Sequence, residues 1–259
     1  MSLPLSGRTA LITGVSRRRG IGFAVASRLA AMGASLAVHH HRPPDADEYG
    51  AGEDLDDLLA DLRTTLQGTA RLVDVAADLG DPASVEGLVS TVTGLVGHLD
   101  VLVCNHAHGG DAVDLAHLTV AALDRHWAVN TRATLLLTQA FAAQHDGRDG
   151  GRVVWMTSGQ HLGPMSDNLA YAASKAALAG ATWSVADDLA NRGILLNTVN
   201  PGPVNTGYLD DAPASFSNAF PQRRIGEPED PARLIGWLVS DEGRWVVGQV
   251  LNSEGGFRR

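Results

Sequence analysis

Short unbroken apolar runs alternate along this chain with longer stretches in which apolar residues recur every third or fourth position. The first kind has the continuity of strands buried on both faces; the second has the period of helices packed on one side. On this basis strands are predicted at 8–13, 35–39, 71–75, 99–104, 152–157, 194–199 and 249–252. Helices are predicted near 20–32, 53–66, 82–96, 120–144, 169–191 and 231–240. Strands that alternate with helices of ten or more residues imply a parallel sheet covered on both faces. The expectation is a single doubly wound α/β domain over residues 1–259, with no internal repeat or low-complexity tract. Three loops punctuated by Pro and Gly fall at 42–52, 106–111 and 200–226. The second and third follow strands, where open α/β sheets bind ligands, and so become candidate walls of a substrate site.

Composition narrows the class. At 259 residues, with 44% hydrophobic and 19% charged, the chain lies well inside the globular range. Its one cysteine, Cys104, has no intramolecular partner, and neither a membrane-length apolar run nor a leader pattern is visible. A soluble cytoplasmic protein that does not engage membranes is expected. Nearly all of the formal charge of −9 comes from eight acids between Pro43 and Leu62, a stretch without Lys or Arg. The remainder is close to neutral and offers no basic stripe for nucleic acid. Because Leu55, Leu58, Leu59, Leu62 and Leu66 recur at helical spacing, the acidic run reads as the solvated face of a helix and its leading loop.

The first candidate chemistry lies between the first strand and the first helix, in Gly14-Val15-Ser16-Arg17-Arg18-Arg19-Gly20-Ile21-Gly22. Gly14 suits a tight turn, and Gly20 and Gly22 let a helix N-terminus approach a pyrophosphate without an intervening Cβ. Guanidinium forks match a phosphate monoester such as the 2′-phosphate of NADP. Cofactors that lack this phosphate are usually held by an acid at the end of the second strand, where this chain has His39-His40-His41-Arg42. NADP(H) is therefore favoured over NAD(H). The three histidines read as surface residues; side chains alternate along a strand and no Cys or carboxylate sits beside them at ligand spacing, so no metal site is expected.

The second constellation is Ser158, Tyr171 and Lys175. Tyr171 and Lys175 are four apart in a helical pattern and share a face, while Ser158 ends the preceding strand. A phenol, with an ordinary pKa near 10, needs an adjacent positive charge to exchange protons at neutral pH, and an ammonium supplies it. Ser158 is placed to bond a substrate oxygen as charge develops, and Tyr171 to pass it a proton. Lys175 is the only lysine among 20 basic residues, in a chain that uses arginine everywhere else. A compact three-donor ammonium can bond both ribose hydroxyls and tune the phenol, which a planar guanidinium does less well.

Together the glycine loop, Tyr171-x-x-x-Lys175 with Ser158, and Asn197 with Pro201-Gly202 resemble the short-chain dehydrogenase/reductase family over essentially the whole chain. Further matching residues are Asp78 and Leu79 on the adenine side, Asn105, Asn130, Thr206 and the C-terminal GQVLNSEGGF. The resemblance implies a Rossmann-type fold with a seven-stranded sheet, commonly tetrameric. It implies a tetrad in which Asn130 holds a water relay, Ser158 orients the carbonyl, and Tyr171 is the general acid/base. Lys175 would lower the Tyr171 pKa and grip the nicotinamide ribose.

Two departures stand out. Five residues separate Gly14 from Gly20 where the family usually has three, as in its divergent enoyl-reductase branch, yet Tyr171 and Lys175 keep the three-residue gap of the carbonyl and alcohol enzymes. The usual Asn-Asn-Ala-Gly after the fourth strand is Cys104-Asn105-His106-Ala107, which brings His106 and His108 toward the substrate pocket. The sequence is most similar to bacterial members described as 3-oxoacyl-carrier-protein reductases. That likeness makes Arg125, Arg132 and Arg148 candidate docking cations for an acidic carrier. Tyr208, Phe216 and Phe220 suggest an apolar pocket lid. The expected activity is carbonyl–alcohol interconversion, and the alternative is a dinucleotide-sensing regulator without chemistry. No G-x-S-x-G elbow or G-K phosphate loop supports a hydrolase or a nucleotide triphosphatase.

Overall fold

The computed structural model describes residues 2–41, 53–110 and 112–259. Seven strands form one all-parallel sheet: β1 (Thr9–Ile12), β2 (Ser35–His40), β3 (Leu72–Ala76), β4 (Val101–Cys104), β5 (Gly151–Met156), β6 (Ile194–Asn200) and β7 (Val250–Asn252). Their spatial order is β3-β2-β1-β4-β5-β6-β7, so the chain reverses direction of travel across the sheet between β1 and β4. Helices α1 (Ile21–Ala31), α2 (Leu55–Thr65), α3 (Pro82–Val96), α4 (Val120–His126), α5 (Ala133–Gln144), α6 (Leu169–Ala190) and α7 (Glu229–Val239) cover both faces. This is the doubly wound α/β architecture the pattern predicts.

Alternation along the strands divides the core in two. Ala10, Ile12, Leu36, Val38, Val101 and Val103 point with α1, α2 and α7 to one side, packing Val25, Leu29, Leu58, Leu62 and Ile235. Leu11, Ala37, Leu102, Val153 and Trp155 point to the other, against Val89, Leu137, Phe141 and Leu178. Phe141 has no exposed surface. Phe141→Ala is expected to cost about 3–5 kcal/mol of unfolding free energy, read from the midpoint of a denaturant titration; a shift under about 1 kcal/mol would mean that the cavity collapses.

The acidic stretch behaves as read where it is described. Asp54 caps α2 by accepting from the backbone N–H of Asp56 and Asp57, while Leu58, Leu59 and Leu62 face the core. The single helix expected over 120–144 is a composite. Between α4 and α5 the backbone widens to a π-helical segment at Trp127–Arg132. The extra residue per turn leaves the apolar period of the flanking helices intact, so the pattern does not reveal it.

Candidate active site

At the reversal between β1 and β4, the carboxyl ends of the strands open a crevice beside the N-terminus of α1. Helix α1 begins at Gly20 with no side-chain cap and no acid in its first turn, leaving its first N–H groups to an outside acceptor. Ile21 and Gly22 carry those groups. Gly14 has φ of +75°, and a Cβ there would stand 2.8 Å from the Cα of His106; at Gly22 it would stand 2.6 Å from the Gly14 carbonyl oxygen. Asn105 braces this turn from β4, its side-chain amide donating to the carbonyls of Thr13 (3.0 Å) and Gly14 (3.1 Å). The result is a backbone turn without Cβ atoms at the N-terminus of α1, where a pyrophosphate can approach the N–H groups. Gly22→Ala is expected to weaken dinucleotide binding at least tenfold, measured by quenching of protein fluorescence; unchanged affinity would show that the phosphates lie elsewhere.

The second strand ends differently from the expectation of surface histidines. His39 is 2% exposed and His40 6%. The Gly14 N–H donates to His39 Nδ1 at 3.2 Å, so Nε2 carries the proton that meets the Ala77 carbonyl at 3.0 Å. Burial lowers the His39 pKa to about 4, and the ring is a neutral tie between the glycine turn, β2 and β3. Ser16 Oγ exchanges hydrogen bonds with the His41 backbone at 3.3 and 3.4 Å. Asp78 turns its carboxylate onto the Gly80 N–H at 2.8 Å, and Leu79 is buried in the core. Arg42 lies outside the described residues.

The three arginines of the long glycine loop are already engaged. Arg17 donates to the Thr206 carbonyl (2.7 Å) and approaches its hydroxyl (3.4 Å). Arg18 pairs with Asp61 of α2 at 2.6 Å and lies 3.6 Å from Glu53. Arg19 forms a two-pronged pair with Asp210, both contacts 2.6 Å. Arg17 and Arg19 thus reach across to the loop after β6, where Pro201 and Gly202 follow Asn200. The Gly202 N–H donates to Asn200 Oδ1 at 3.0 Å. Asn200 also donates to Glu254, which pairs with Arg259. Glu254 lies in the C-terminal GQVLNSEGGF, but its bond to Asn200, 54 residues away, leaves no local signal, and Arg259 was not singled out in the sequence.

On the other side of the crevice, α6 carries Tyr171 in its first turn and Lys175 one turn later, with the ammonium 5.7 Å from the Tyr171 ring centroid. Lys175 is 2% exposed and donates from Nζ to the Met156 carbonyl at 2.9 Å. Burial lowers its pKa to about 8. No carboxylate pairs with it among the described residues, leaving the charge available to a phenolate and to ribose hydroxyls. Ser158, partly exposed, follows Thr157, whose hydroxyl donates to the Lys175 carbonyl at 2.8 Å and fastens the end of β5 to α6.

Asn130 sits in the π-helical segment, fully buried. Its amide nitrogen donates to the His108 carbonyl (3.1 Å) and to Ser174 Oγ (3.0 Å), and its oxygen accepts the His108 N–H at 2.7 Å. Ser174 Oγ in turn donates to the Tyr171 carbonyl at 2.7 Å, and Thr131 donates to the Ser174 carbonyl at 2.9 Å. The widened turn therefore docks α6 in register. Ser174 and Thr131 are positioning residues that the sequence reading passed over, although both adjoin residues it chose.

The two histidines after β4 part company. His106 lies beneath the glycine turn, bonded to Thr13 Oγ1 (2.7 Å) and the Val129 carbonyl (3.0 Å), and burial holds its pKa well below the usual range. It is a structural tie, not a pocket wall. The His108 ring meets His126 at 4.6 Å, and His126 meets Tyr171 edge-on at 6.3 Å. Of the expected lid residues, Phe216 and Phe220 pack with Phe257, and Phe220 is buried; Tyr208 is exposed. Of the candidate carrier-docking arginines, Arg132 donates to the Gly80 carbonyl at 2.6 Å and Arg148 grips Asp146. No helix among the described residues is long and apolar enough to cross a membrane.

Residues 14–258 match a family model described as enoyl-(acyl carrier protein) reductase. An uncharacterized oxidoreductase of Bacillus subtilis is 36% identical over 257 residues, covering 97% of both chains. An NADPH-dependent aldehyde reductase-like protein of Arabidopsis thaliana is 31% identical, covering 98% of this chain and 96% of the relative. A short chain dehydrogenase from Burkholderia cenocepacia, solved in complex with NADP, superposes with a TM-score of 0.84 at 33% identity over 98% of each chain. With a seven-stranded parallel sheet, an uncapped α1 facing the glycine turn, and Tyr171 and buried Lys175 on one helical face, the chain belongs to the short-chain dehydrogenase/reductase family of oxidoreductases.

Proposed function

We propose that this chain is an NADP(H)-dependent reductase that interconverts a carbonyl compound and a secondary alcohol. The observation that carries the reading is Lys175, the chain's only lysine, buried one turn from Tyr171 with no carboxylate partner among the described residues. NADPH, when bound, would supply the hydride. Tyr171 gives its phenolic proton to the carbonyl oxygen, and Ser158 bonds that oxygen while charge develops. Lys175 stabilises the phenolate and binds ribose hydroxyls; Asn130 fixes α6 through Ser174 and sets where Tyr171 stands. Gly14, Gly20, Ile21 and Gly22 cradle the pyrophosphate, with Asn105 beneath them, and Pro201, Gly202 and Thr206 close over the nicotinamide end. The Asp78–Leu79 turn serves the adenine.

NADP(H) is the preferred cofactor in this reading because β2 ends in histidines where an acid would repel a 2′-phosphate, and Arg17, Arg18 and Arg19 stand in the adjacent loop. The related proteins named above as NADPH-dependent or NADP-bound support it. The phosphate must compete with Asp61 and Asp210 for those guanidiniums. Replacing Arg17, Arg18, Arg19 and Arg42 with Ala is expected to erase a preference for NADPH over NADH in the ratio of kcat/KM values. Tighter NADH binding by the parent would overturn the assignment.

A 3-oxoacyl thioester is one substrate within this class. The primary experiment follows NADPH absorbance against ketones, diketones and 3-oxoacyl thioesters. Turnover of at least one compound supports the reading; NADPH binding without turnover of any favours the sensing role. We further propose a cytoplasmic homotetramer. Val120 and Trp127 on and after α4, Trp183 on α6 and Trp245, 94% exposed, present apolar surface suited to copies of this chain. Light scattering on the purified protein tests it, and a monomer at micromolar concentration would exclude it.

A further inference from the structure

A second cluster of chemically competent side chains lies at the opposite end of the sheet from Tyr171. The segment between α3 and β4 presents His98, and the segment between α5 and β5 presents His145 and Asp146. Because β4 and β5 are parallel neighbours, both segments meet at the amino ends of those strands. One ligand atom from each of the three residues lies within 4.8 Å of the others. The two imidazoles stand nearly perpendicular with centroids 5.5 Å apart, and His98 Nε2 is 3.6 Å from Asp146 Oδ1. This is too long for a hydrogen bond. Both His98 nitrogens and His145 Nδ1 are closed off from water and have no hydrogen-bond partner among the described residues. These orphaned nitrogens carry a desolvation cost, and a bound cation removes it for one nitrogen of each ring.

The local chemistry selects the kind of cation. His145 Nε2 meets the Arg148 carbonyl at 3.1 Å, so it bears the proton and leaves the Nδ1 lone pair to a ligand. Phe141 stacks on the His145 ring at 6.2 Å and holds its plane. Two neutral nitrogen donors and one carboxylate suit a borderline ion such as zinc, with water completing a tetrahedron. Bonds near 2.0–2.1 Å require ligand atoms about 3.4 Å apart, a contraction of about 1.5 Å at most from the present arrangement. One local group opposes it: the Arg148 guanidinium holds both Asp146 oxygens, at 2.8 and 2.5 Å, and must yield Oδ1.

We propose that His98, His145 and Asp146 form a site for one divalent transition-metal ion, of which zinc is the best fit. It braces the entries to β4 and β5 and takes no part in the reaction at the far end of the strands. The site does not depend on the catalytic reading.

The test uses the full chain, stripped with chelator, titrated with Zn²⁺ by calorimetry and with Co²⁺ by visible absorbance, and melted with and without each ion. One ion per chain, a raised melting temperature and four-coordinate Co²⁺ bands are expected. His98→Ala and His145→Gln should each weaken binding at least tenfold, whereas Arg148→Ala should tighten it by releasing Asp146. NADPH binding by each variant confirms the fold. Binding unchanged in His98→Ala and His145→Gln would show that the ion lies elsewhere and overturn the proposal. Failure of the parent to bind would do the same.

Discussion

Tyr171→Phe is expected to lower kcat by roughly 10³-fold while leaving NADPH affinity within about threefold, since a positioned general acid is worth about 10²–10⁴-fold. The ring's packing against His126 survives the substitution, and Ser174 bonds the Tyr171 backbone carbonyl and not the phenol. The loss expected is that of the proton that must reach the carbonyl oxygen. Steady-state turnover of any substrate found in the carbonyl panel, beside a fluorescence titration with NADPH, separates the two effects. Retained turnover would exclude Tyr171 as the proton donor. Lost turnover together with lost NADPH binding would mean that the phenol belongs chiefly to the cofactor site.

Lys175→Met should act on three observables at once. Turnover falls by roughly 10³-fold with the loss of phenolate stabilisation. NADPH affinity falls about tenfold or more, as the ribose loses a charged donor. The apo protein nevertheless becomes more stable, because a buried ammonium with no carboxylate partner among the described residues is replaced by an apolar chain of similar volume.

The pH dependence carries the same signature. Burial brings the native Lys175 pKa from 10.5 to about 8, so over that interval the unfolded chain holds the proton more tightly than the native one. Stability due to this residue is at its lowest below pH 8 and rises between about 8 and 10.5. Cys104 acts in the other sense. Burial raises its pKa from 9.0 to about 12, and above pH 9 the native thiol keeps a proton that the unfolded chain releases, which lowers stability. Denaturant midpoints from pH 7 to 10.5 in a Cys104→Ala background isolate the lysine, and the rise should vanish when Lys175→Met is added. NADPH affinity of the parent should weaken above pH 8; a flat profile would contradict a charged Lys175 in the binding site.

Much of this was legible before any coordinates. Unbroken apolar runs such as TALI and VLVC and the 3.6-residue period of the intervening stretches locate every strand and, apart from the division of 120–144 into α4 and α5, the helices, because burial on two faces or one imposes those patterns directly. Tyr171 and Lys175 were legible because the backbone of one helix sets their relation, and local geometry is what spacing reports. The glycine turn was legible for the same reason.

What the tertiary structure alone decided concerns partners rather than positions. The π-helical turn at Trp127–Arg132 keeps the apolar period on either side, yet it brings Asn130 onto Ser174. His39 and His40 carry no mark of burial in the sequence, but the glycine turn and the end of β3 enclose them. Arg18 and Arg19 read as open phosphate ligands until Asp61 and Asp210, 43 and 191 residues away, are found at 2.6 Å. His98 and His145 belong to different βα units and meet only because β4 and β5 are neighbours. Periodicity records which face of an element is buried; which charges and donors then face one another depends on the order of strands in the sheet, and no local pattern encodes that order.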